Sequence, residues 1–252
     1  MCNKISDKPD NLPLICGKNA VLEYLSAGKP ADTLYVLKGS RDLSKHVALA
    51  KEQGAVIKDC DAAKLNSLTN NMRHGGVAVM IPEVEYASLE DVLNVSSEKG
   101  KNPFIIIADE ITDPHNLGAL IRTAEAAGAD GLIIPKRRSA NVNATVHSVS
   151  AGAASHLKIC REGSLTDVIN KLKKLNIWVY GAEADGVPYY EQDFKGGVCL
   201  VIGSEGNGLR RLTKETCDVI IAVDMHGKIN SLNASVCGGI LMYEVVRQRR
   251  IK

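Results

Sequence analysis

A glycine-rich loop with one carboxylate follows an apolar run, Val198–Ile202. It reads GSEGNG from Gly203 to Gly208 and carries Glu205 in its middle. Glycine-rich loops after strands often hold nucleotide-like ligands, because the backbone can approach the ligand closely. The glycine order differs from the dinucleotide pattern GxGxxG, and no Gly-Lys-Ser/Thr follows as in a P-loop. Glu205 would repel a phosphate, so the loop predicts a ligand without one, unless the glycines only serve a tight turn.

Two further stretches place polar side chains at predicted helix starts. In the first, ADEITDPHNLGALIRTAEAAG, Asn116 is a candidate N-cap and Arg122 lies six residues later. In the second, DMHGKINSLNASVCGG, Ser231 or Asn230 is a candidate cap and Asn233 lies in the first turn. Ordinary capping and a solvated arginine would explain each stretch by itself. A ligand site is the alternative if the stretches converge.

Convergence is expected because these stretches follow strands of one predicted sheet. The apolar run FIIIADE is typical of a parallel strand covered on both faces. Alternating helical stretches predict a doubly wound α/β layout with a mainly parallel sheet, whose ligands bind at the carboxyl ends of the strands. The other predicted strands are GLIIP, HLKIC, IWVYG, VCLVIG and VIIAV.

Composition excludes several classes of protein. The chain has 252 residues, of which 45% are hydrophobic and 24% charged, as in ordinary globular proteins. Only 4% are aromatic, which disfavours a stacking platform for single-stranded nucleic acid. The net charge of +2 requires any RNA-binding surface to be local. The seven cysteines lack a CxxC pair, so we expect neither a disulfide framework nor a metal site.

The chain is predicted to contain two domains. Residues 1–12 read as a loose polar tail without the apolar core of a signal peptide, so we expect a cytoplasmic protein with no membrane segment. Residues 13–82 predict a small domain with the element order α-β-α-β-α-β, in which Asp61 caps a helix. Residues 83–102 read as a linker with a short helix, and residues 103–252 as the larger domain.

Taken together, NLGALIRTAEAAGADGLI, LVIGSEGNGLRR and INSLNASVCGGILMYEVVRQR resemble the three motifs of the SpoU family of RNA 2′-O-ribose methyltransferases, within the SPOUT superfamily. GKNAVLEYL and RHGGVAVM resemble its small RNA-binding domain, which is similar to ribosomal protein L30e. IPKRRSANVNATVHSVSAGAA resembles the branch that modifies a guanosine of 23S rRNA.

The resemblance implies a trefoil-knotted α/β domain, a homodimer, an RNA substrate and S-adenosyl-L-methionine (SAM) as methyl donor. SAM carries a sulfonium and no phosphate, which suits a loop containing a carboxylate. Matching family positions imply that Arg122 is the catalytic arginine and that four further residues shape the site: Asn116, Glu205, Ser231 and Asn233. The implied donor-pocket residues are Gly181, Ala182, Gly203, Val223 and Leu232.

Three more features bear on this interpretation. Lys136, Arg137 and Arg138 form a basic trio that contacts RNA phosphates or is simply solvated. Asp224 stands where the family usually has proline, which questions the rigidity of that loop. The pair Gly238–Gly239 inside a predicted helix suggests close packing against another backbone, either of the same chain or of a partner subunit.

Other functions remain open at this point. A tRNA ribose methyltransferase of the same family is disfavoured by the separate N-terminal domain. A non-catalytic RNA-binding or ribosome assembly factor would tolerate Asp224 but leaves Arg122, Asn116 and Asn233 unexplained. A nicotinamide-dependent oxidoreductase is opposed by the glycine order of the loop.

Overall fold

The structure is a computed structural model that describes residues 14–40, 42–69, 71–81 and 86–250. The predicted tail, residues 1–12, lies outside these ranges. The chain divides after Glu83 into two compact units, each with its own sheet. We describe the two units separately.

The first unit is a four-stranded sheet with three helices. Its strand order is β1-β4-β2-β3, with β2 and β3 parallel and β4 antiparallel to both of its neighbours. The predicted element order holds, but β1 was missed because a three-residue strand gives almost no periodicity. Asp61 caps α3 as predicted, accepting from Lys64 N at 2.7 Å. The elements are β1 (Leu14–Cys16), α1 (Lys18–Ser26), β2 (Thr33–Leu37), α2 (Ser44–Glu52), β3 (Val56–Cys60), α3 (Ala62–Leu68) and β4 (Val77–Met80).

The second unit is a six-stranded sheet with the order β10-β8-β9-β5-β6-β7. All its described ladders are parallel, which confirms the predicted α/β fold. The elements are α4 (Leu89–Glu98), β5 (Phe104–Ala108), α5 (Pro114–Ala126), β6 (Gly131–Pro135), α6 (Ala144–Val149), β7 (Lys158–Glu162), α7 (Leu165–Lys174), β8 (Ile177–Pro188), β9 (Gly197–Ile202), α8 (Arg211–Thr216), β10 (Val219–Ala222) and α9 (Ala234–Arg250).

Helices cover both faces of this sheet, which explains why its strands read as continuous apolar runs. Alternate residues of a strand point to opposite faces. Ile106 of β5 therefore packs in one core with α5 and α9, whereas Ile105 and Ile107 pack in the other core with α4 and α7. Strands buried in this way leave only their carboxyl ends available for a ligand.

The segment predicted as a linker carries a full helix of the second unit. Ser88 and Asp91 form a capping box at the start of α4, with Ser88 Oγ accepting from Asp91 N at 3.1 Å. Leu89 and Val92 are buried in the core beneath. Gly131 of β6 makes room for Val92, because a Cβ there would lie 2.8 Å from its methyl groups. The helix was underestimated because its polar surface resembles a solvated linker.

Two helix caps differ from the predicted ones. Asp113, not Asn116, caps α5, accepting from His115 N and Asn116 N at 3.1 and 3.2 Å. Asn233 caps α9 in place of Ser231 or Asn230, since α9 begins at Ala234 and Asn233 Oδ1 accepts from Ser235 N at 2.9 Å. Several neighbouring residues could cap each helix, and the sequence does not rank them. The Asn116 side chain is therefore free for other contacts.

The glycine pair in α9 packs against α5 of the same chain. A Cβ on Gly238 would lie 2.6 Å from Leu120 Cδ2 of α5, so Gly238 permits close packing between two helices of the same chain. Around Gly239 the nearest neighbour is Thr123 Cγ2, at an ordinary 3.7 Å. The close contact of α9 with α5 explains Gly238, whereas packing of the pair against a partner subunit stays a prediction.

Candidate active site

A cavity of about 680 Å³ lies where β9 and β10 end, beside the part of β8 at which its pairing with β9 stops. These strands are adjacent and parallel, so their carboxyl ends reach the same edge of the sheet. This is the edge at which ligands bind in doubly wound sheets. The cavity is lined by residues 182–184, 202–208 and 230–234 together with Ile221, Val223, Met225 and Cys237.

Four of the five predicted donor-pocket residues line this cavity: Ala182, Gly203, Val223 and Leu232. Gly181, the fifth predicted residue, is not among the residues that line the cavity. A Cβ on Gly181 would lie 2.7 Å from Leu209 Cδ1 and 2.9 Å from Ile220 Cδ1, so this glycine makes room for core side chains. Gly181 therefore supports the wall of the cavity from behind.

A cluster of polar side chains joins the three predicted stretches. Asn116 Nδ2 donates to Glu205 Oε1 at 3.0 Å, and Asn233 Nδ2 donates to Asn116 Oδ1 at 2.8 Å. Asn233 Nδ2 also donates to Glu205 Oε1. Asn233 thus caps α9 with its oxygen and ties the other two stretches together with its nitrogen. Ser231 lines the cavity beside this cluster.

The glycine loop folds back on itself at its base. Ser204 and Gly208 exchange two backbone hydrogen bonds of 3.1 and 3.0 Å. A Cβ on Gly203 would lie 2.6 Å from Leu209 N, so no side chain fits there. Gly208 has a φ of +63°, in the left-handed region that favours glycine. These glycines therefore serve a tight turn, which was one of the two explanations considered from the sequence. The turn also places Glu205 next to Asn116 and Asn233.

Two carboxylates that the sequence analysis missed fix the exit of this loop. Glu183, just beyond the part of β8 that pairs with β9, accepts from Leu209 N. Asp109, directly after β5, accepts from Arg210 N at 3.0 Å and from Arg210 Nε at 2.6 Å. Since β8 and β5 flank β9, the loop is held from both neighbouring strands. The position of Asp109 after an apolar strand was a usable signal, but Glu183 gave none.

The predicted catalytic arginine lies apart from the cavity. Arg122 is exposed on α5, six residues after Asn116, and does not line the cavity. Six residues advance a helix by about 9 Å, more than one turn. Within the described ranges no hydrogen bond or ion pair holds its guanidinium, which leaves this group available to another molecule.

The basic trio follows β6 and is exposed throughout. Arg138 Nη1 lies 3.3 Å from Glu110 Oε1, and the carbonyl of Lys136 accepts from Arg161 Nη2 at 3.1 Å. The first contact partly balances the charge of Arg138, whereas Lys136 keeps its ammonium group in solvent. The trio therefore offers cations on the surface beyond the sheet edge without lining the cavity.

Asp224 is held by a tyrosine from another loop. Tyr190 Oη donates to Asp224 Oδ2 at 2.7 Å, and this hydrogen bond raises the pKa of the phenol above its ordinary value. The contact joins the segment after β8 to the segment after β10. A side-chain contact thus restrains the loop at the position where the resemblance leads one to expect a proline.

The charges around the cavity favour a cationic or neutral ligand. Glu183 and Glu205 are the ionisable carboxylates of the lining described, and that lining contains no Lys, Arg or His. Burial, with a smaller contribution from Glu183, raises the pKa of the Cys237 thiol above its ordinary value, so this side chain stays neutral.

Among the residues described, no group of three or more His, Cys, Asp or Glu could hold a metal ion. No helix in the same ranges is long and apolar enough to span a bilayer.

Comparison with known proteins agrees with this architecture. Residues 103–243 match the model of the SpoU rRNA Methylase family. Residues 14–87 match the model described as RNA 2′-O ribose methyltransferase substrate binding. The two matches fall on the second and the first unit, respectively, apart from a few residues at the boundary.

Curated relatives match over almost the whole chain. YacO of Bacillus subtilis (strain 168), whose name assigns it to the TrmH family of tRNA/rRNA methyltransferases, is 40% identical over 93% of this chain and 95% of its own length. A protein of Staphylococcus haemolyticus (strain JCSC1435) with the same family name is 39% identical over 94% of this chain and 96% of its own.

A solved structure extends the likeness to three dimensions. The SpoU methyltransferase AviRb from Streptomyces viridochromogenes, in complex with the cofactor AdoMet (SAM), superposes with a TM-score of 0.71 at 25% identity, covering 94% of this chain and 89% of that one. The resemblance seen in the three motifs is thereby confirmed, and the chain belongs to the SpoU rRNA methylase family.

Proposed function

We propose that this protein transfers the methyl group of SAM to a ribose 2′-oxygen of RNA. The observation that carries the proposal is the cluster of Asn116, Glu205 and Asn233, which joins the three predicted stretches beside one cavity. The family match supplies the reaction class. The target we propose is a guanosine of 23S rRNA, with a tRNA ribose as the alternative.

The cavity fits SAM in chemistry and in size. Its volume of about 680 Å³ lies within the range typical of small-molecule sites. SAM carries a sulfonium cation and no phosphate, and the described lining offers two carboxylates and no cationic side chain. The tight turn at Gly203–Gly208 lines the cavity, and its glycines allow the backbone to lie close to a ligand. When bound, SAM supplies an activated methyl group to an incoming nucleophile.

The reaction is an in-line displacement. A bond forms between the ribose oxygen and the methyl carbon, the bond from that carbon to sulfur breaks with its electrons left on sulfur, and the hydroxyl proton is released. The residues of this chain contribute mainly by positioning. Arg122 is suited to hold a phosphate next to the target ribose, since a guanidinium stays protonated and is a poor base. The Asn116–Glu205–Asn233 cluster keeps the glycine-rich loop Gly203–Gly208, which we call the donor loop, and the start of α9 in one arrangement.

RNA binding is assigned to both units. The first unit matches a substrate-binding model of RNA 2′-O-ribose methyltransferases. In the second unit, the exposed Lys136, Arg137 and Arg138 are suited to phosphate contacts. Such contacts position RNA without reading its sequence. We favour the rRNA target over the tRNA alternative because the chain carries a separate N-terminal domain.

A homodimer in the cytoplasm and a trefoil knot in the second unit complete the proposal. Val236 and Tyr243 of α9 are 51% and 52% exposed, and Ile240 lies between them on the same face. A second copy is the partner we propose for this apolar face. Arg122 lies outside the cavity of its own chain. A dimer would also allow the Arg122 guanidinium of one copy to approach the cavity of the other copy from outside.

Transfer of labelled methyl groups tests the proposal. The wild-type protein is expected to label unmodified 23S rRNA, and Arg122→Ala is expected to lose about 100-fold or more in rate while binding SAM normally. Arg211→Ala is the matched control, because Arg211 is also exposed, pairs with Glu215 and lies outside the cavity lining. Labelling of tRNA alone would favour the tRNA alternative. Donor binding without transfer to any rRNA or tRNA would favour a non-catalytic RNA-binding factor.

A further inference from the structure

Glu183 reaches the cavity through an irregularity of β8. The pairing of β8 with β10 shifts between Ile220 and Ile221, whose partners on β8 are Gly181 and Val187. The β8 residues between these two partners are therefore released from the ladder with β10, and those after Ala182 have no partner on β9 either. Glu183 lies in this released segment and lines the cavity in a half-buried position.

The carboxylate of Glu183 is packed tightly against the donor loop. Its Oε1 accepts from Leu209 N. A Cβ on Gly208 would lie 2.7 Å from Glu183 Oε2, so the carboxylate occupies the space that the glycine leaves open. Burial and packing of this kind hold the charge of Glu183 in one place, which a flexible surface carboxylate would not achieve.

Glu183 is also the less neutralised of the two carboxylates in the lining. Glu205 receives hydrogen bonds from two amide groups, those of Asn116 and Asn233. For Glu183 Oε2, by contrast, the described residues provide no hydrogen-bond donor. The charge of Glu183 contributes to the raised pKa of Lys214. The Lys214 ammonium, however, is already bound to both carboxylate oxygens of Asp185, at 2.8 and 2.9 Å.

The charge of Glu183 acts across the cavity. Cys237 of α9 also lines the cavity, and Glu183 contributes to its raised pKa after the larger effect of burial. A positive group bound in the same space would lie within reach of this charge. In a partly desolvated cavity a carboxylate and a cation attract more strongly than in water.

We propose that Glu183 is a specificity-determining residue that makes the cavity prefer the charged methyl donor over its neutral product. Methyl transfer turns the sulfonium of SAM into the thioether of S-adenosyl-L-homocysteine (SAH), which removes one positive charge and otherwise leaves the molecule almost unchanged. The attraction to Glu183 is therefore present before transfer and largely lost afterwards. This inference depends on the proposed use of SAM, and it adds a reason for the product to leave.

Calorimetric titration of SAM and SAH into the full chain tests the proposal. Glu183→Gln keeps an oxygen for Leu209 N but removes the charge. We expect it to weaken SAM binding by about tenfold and SAH binding by less than about twofold. For the wild type, the preference for SAM over SAH should also decrease as salt is raised. Glu215→Gln is the control, because it removes the same charge from an exposed helix position outside the lining.

Two outcomes would overturn the inference. Equal weakening of both ligands by Glu183→Gln would mean that Glu183 only positions the loop, and unchanged affinities would mean that its charge has no role. A thermal melt of each variant verifies that it is folded. The proposed function fails separately: a wild-type protein that binds SAM but methylates no RNA refutes it, while the ratio of the two affinities can still be measured.

Discussion

Asn116 Nδ2 donates a hydrogen bond of 3.0 Å to Glu205 Oε1, although the two residues are 89 positions apart in the chain. Each residue alone has an ordinary explanation, Asn116 near a helix start and Glu205 in a turn. Their contact exists because β5 and β9 are adjacent and parallel, so the segments that follow both strands meet at one edge of the sheet. A second asparagine, Asn233, joins them from the start of α9.

The two roles of Asn233 can be separated by substitution. Asn233→Ala removes both the cap of α9 and the amide bonds to the cluster, so it should lower the free energy of unfolding by about 1 kcal/mol and methyl transfer by about 100-fold. Asn233→Ser keeps a capping oxygen and should recover the stability but not the activity. Urea unfolding and labelled methyl transfer measure the two effects. Full activity of the serine variant would show that the amide bonds are dispensable.

Gly203→Ala should disrupt the donor loop. The new Cβ would lie 2.6 Å from Leu209 N and 2.5 Å from Gly208 O, so the backbone must move. We expect a loss of about 1–3 kcal/mol in stability and at least about tenfold weaker SAM binding. Gly163→Ala is the control, because nothing lies within 4 Å of a Cβ there. Normal SAM affinity in the Gly203 variant would contradict the close packing that we describe.

The contact between Asp109 and Arg210 should respond asymmetrically to substitution. Asp109 is fully buried, whereas 37% of the Arg210 side chain is exposed. Arg210→Ala leaves a buried carboxylate without its ion pair and should cost about 2–3 kcal/mol, discounted for the exposure of the arginine. Asp109→Asn keeps an acceptor for Arg210 N and lets the guanidinium turn to water, so about 1 kcal/mol is expected. Urea unfolding of both variants measures the two losses in free energy of unfolding. A larger loss for Asp109→Asn than for Arg210→Ala would contradict the expectation that the unpaired buried carboxylate is the more costly defect.

Glu244 should make the second unit less stable in acid. The hydrogen bonds from Arg247 lower the pKa of this carboxyl below its ordinary value of 4.5, against the opposing effect of burial. A lowered pKa in the folded state stabilises the fold above the unfolded value, and this contribution is lost as the pH falls through the folded pKa. The difference in melting temperature between wild type and Glu244→Gln should therefore shrink as the pH falls below 4.5. A difference in melting temperature that stays constant across that pH range would contradict the lowered pKa of Glu244.

Much of the fold was predictable because burial on both faces leaves a strong sequence signal. All six strands of the second unit overlap predicted runs, such as FIIIADE for β5, but β8 extends to Pro188, well beyond the predicted IWVYG. The helix caps were less predictable, since Asp113 and Asn116 are both good capping residues three positions apart. The extent of α4 was missed because its buried residues, Leu89 and Val92, stand among polar ones.

The site was predictable where a loop has unusual composition, and not where contacts depend on strand order. Glu205 and Asn233 stand in loops with several glycines or polar residues. The roles of Glu183 and Asp109 follow from the positions of β8 and β5 on either side of β9. Nothing local in the sequence specifies that order. The departure at Asp224 likewise required the structure, because its partner, Tyr190, lies on a different loop.

The pairing of β5 with β9 has a consequence for how the protein is made. Phe104 pairs with Val198, so the centre of the sheet closes only after the intervening chain has been synthesised and brought back. Joining such distant segments loses much chain entropy before the new contacts compensate for it, and a high contact order is associated with slow folding. Nascent chains will therefore expose apolar strands for some time, a state prone to aggregation. During refolding, SAM binding should appear later than helical circular dichroism.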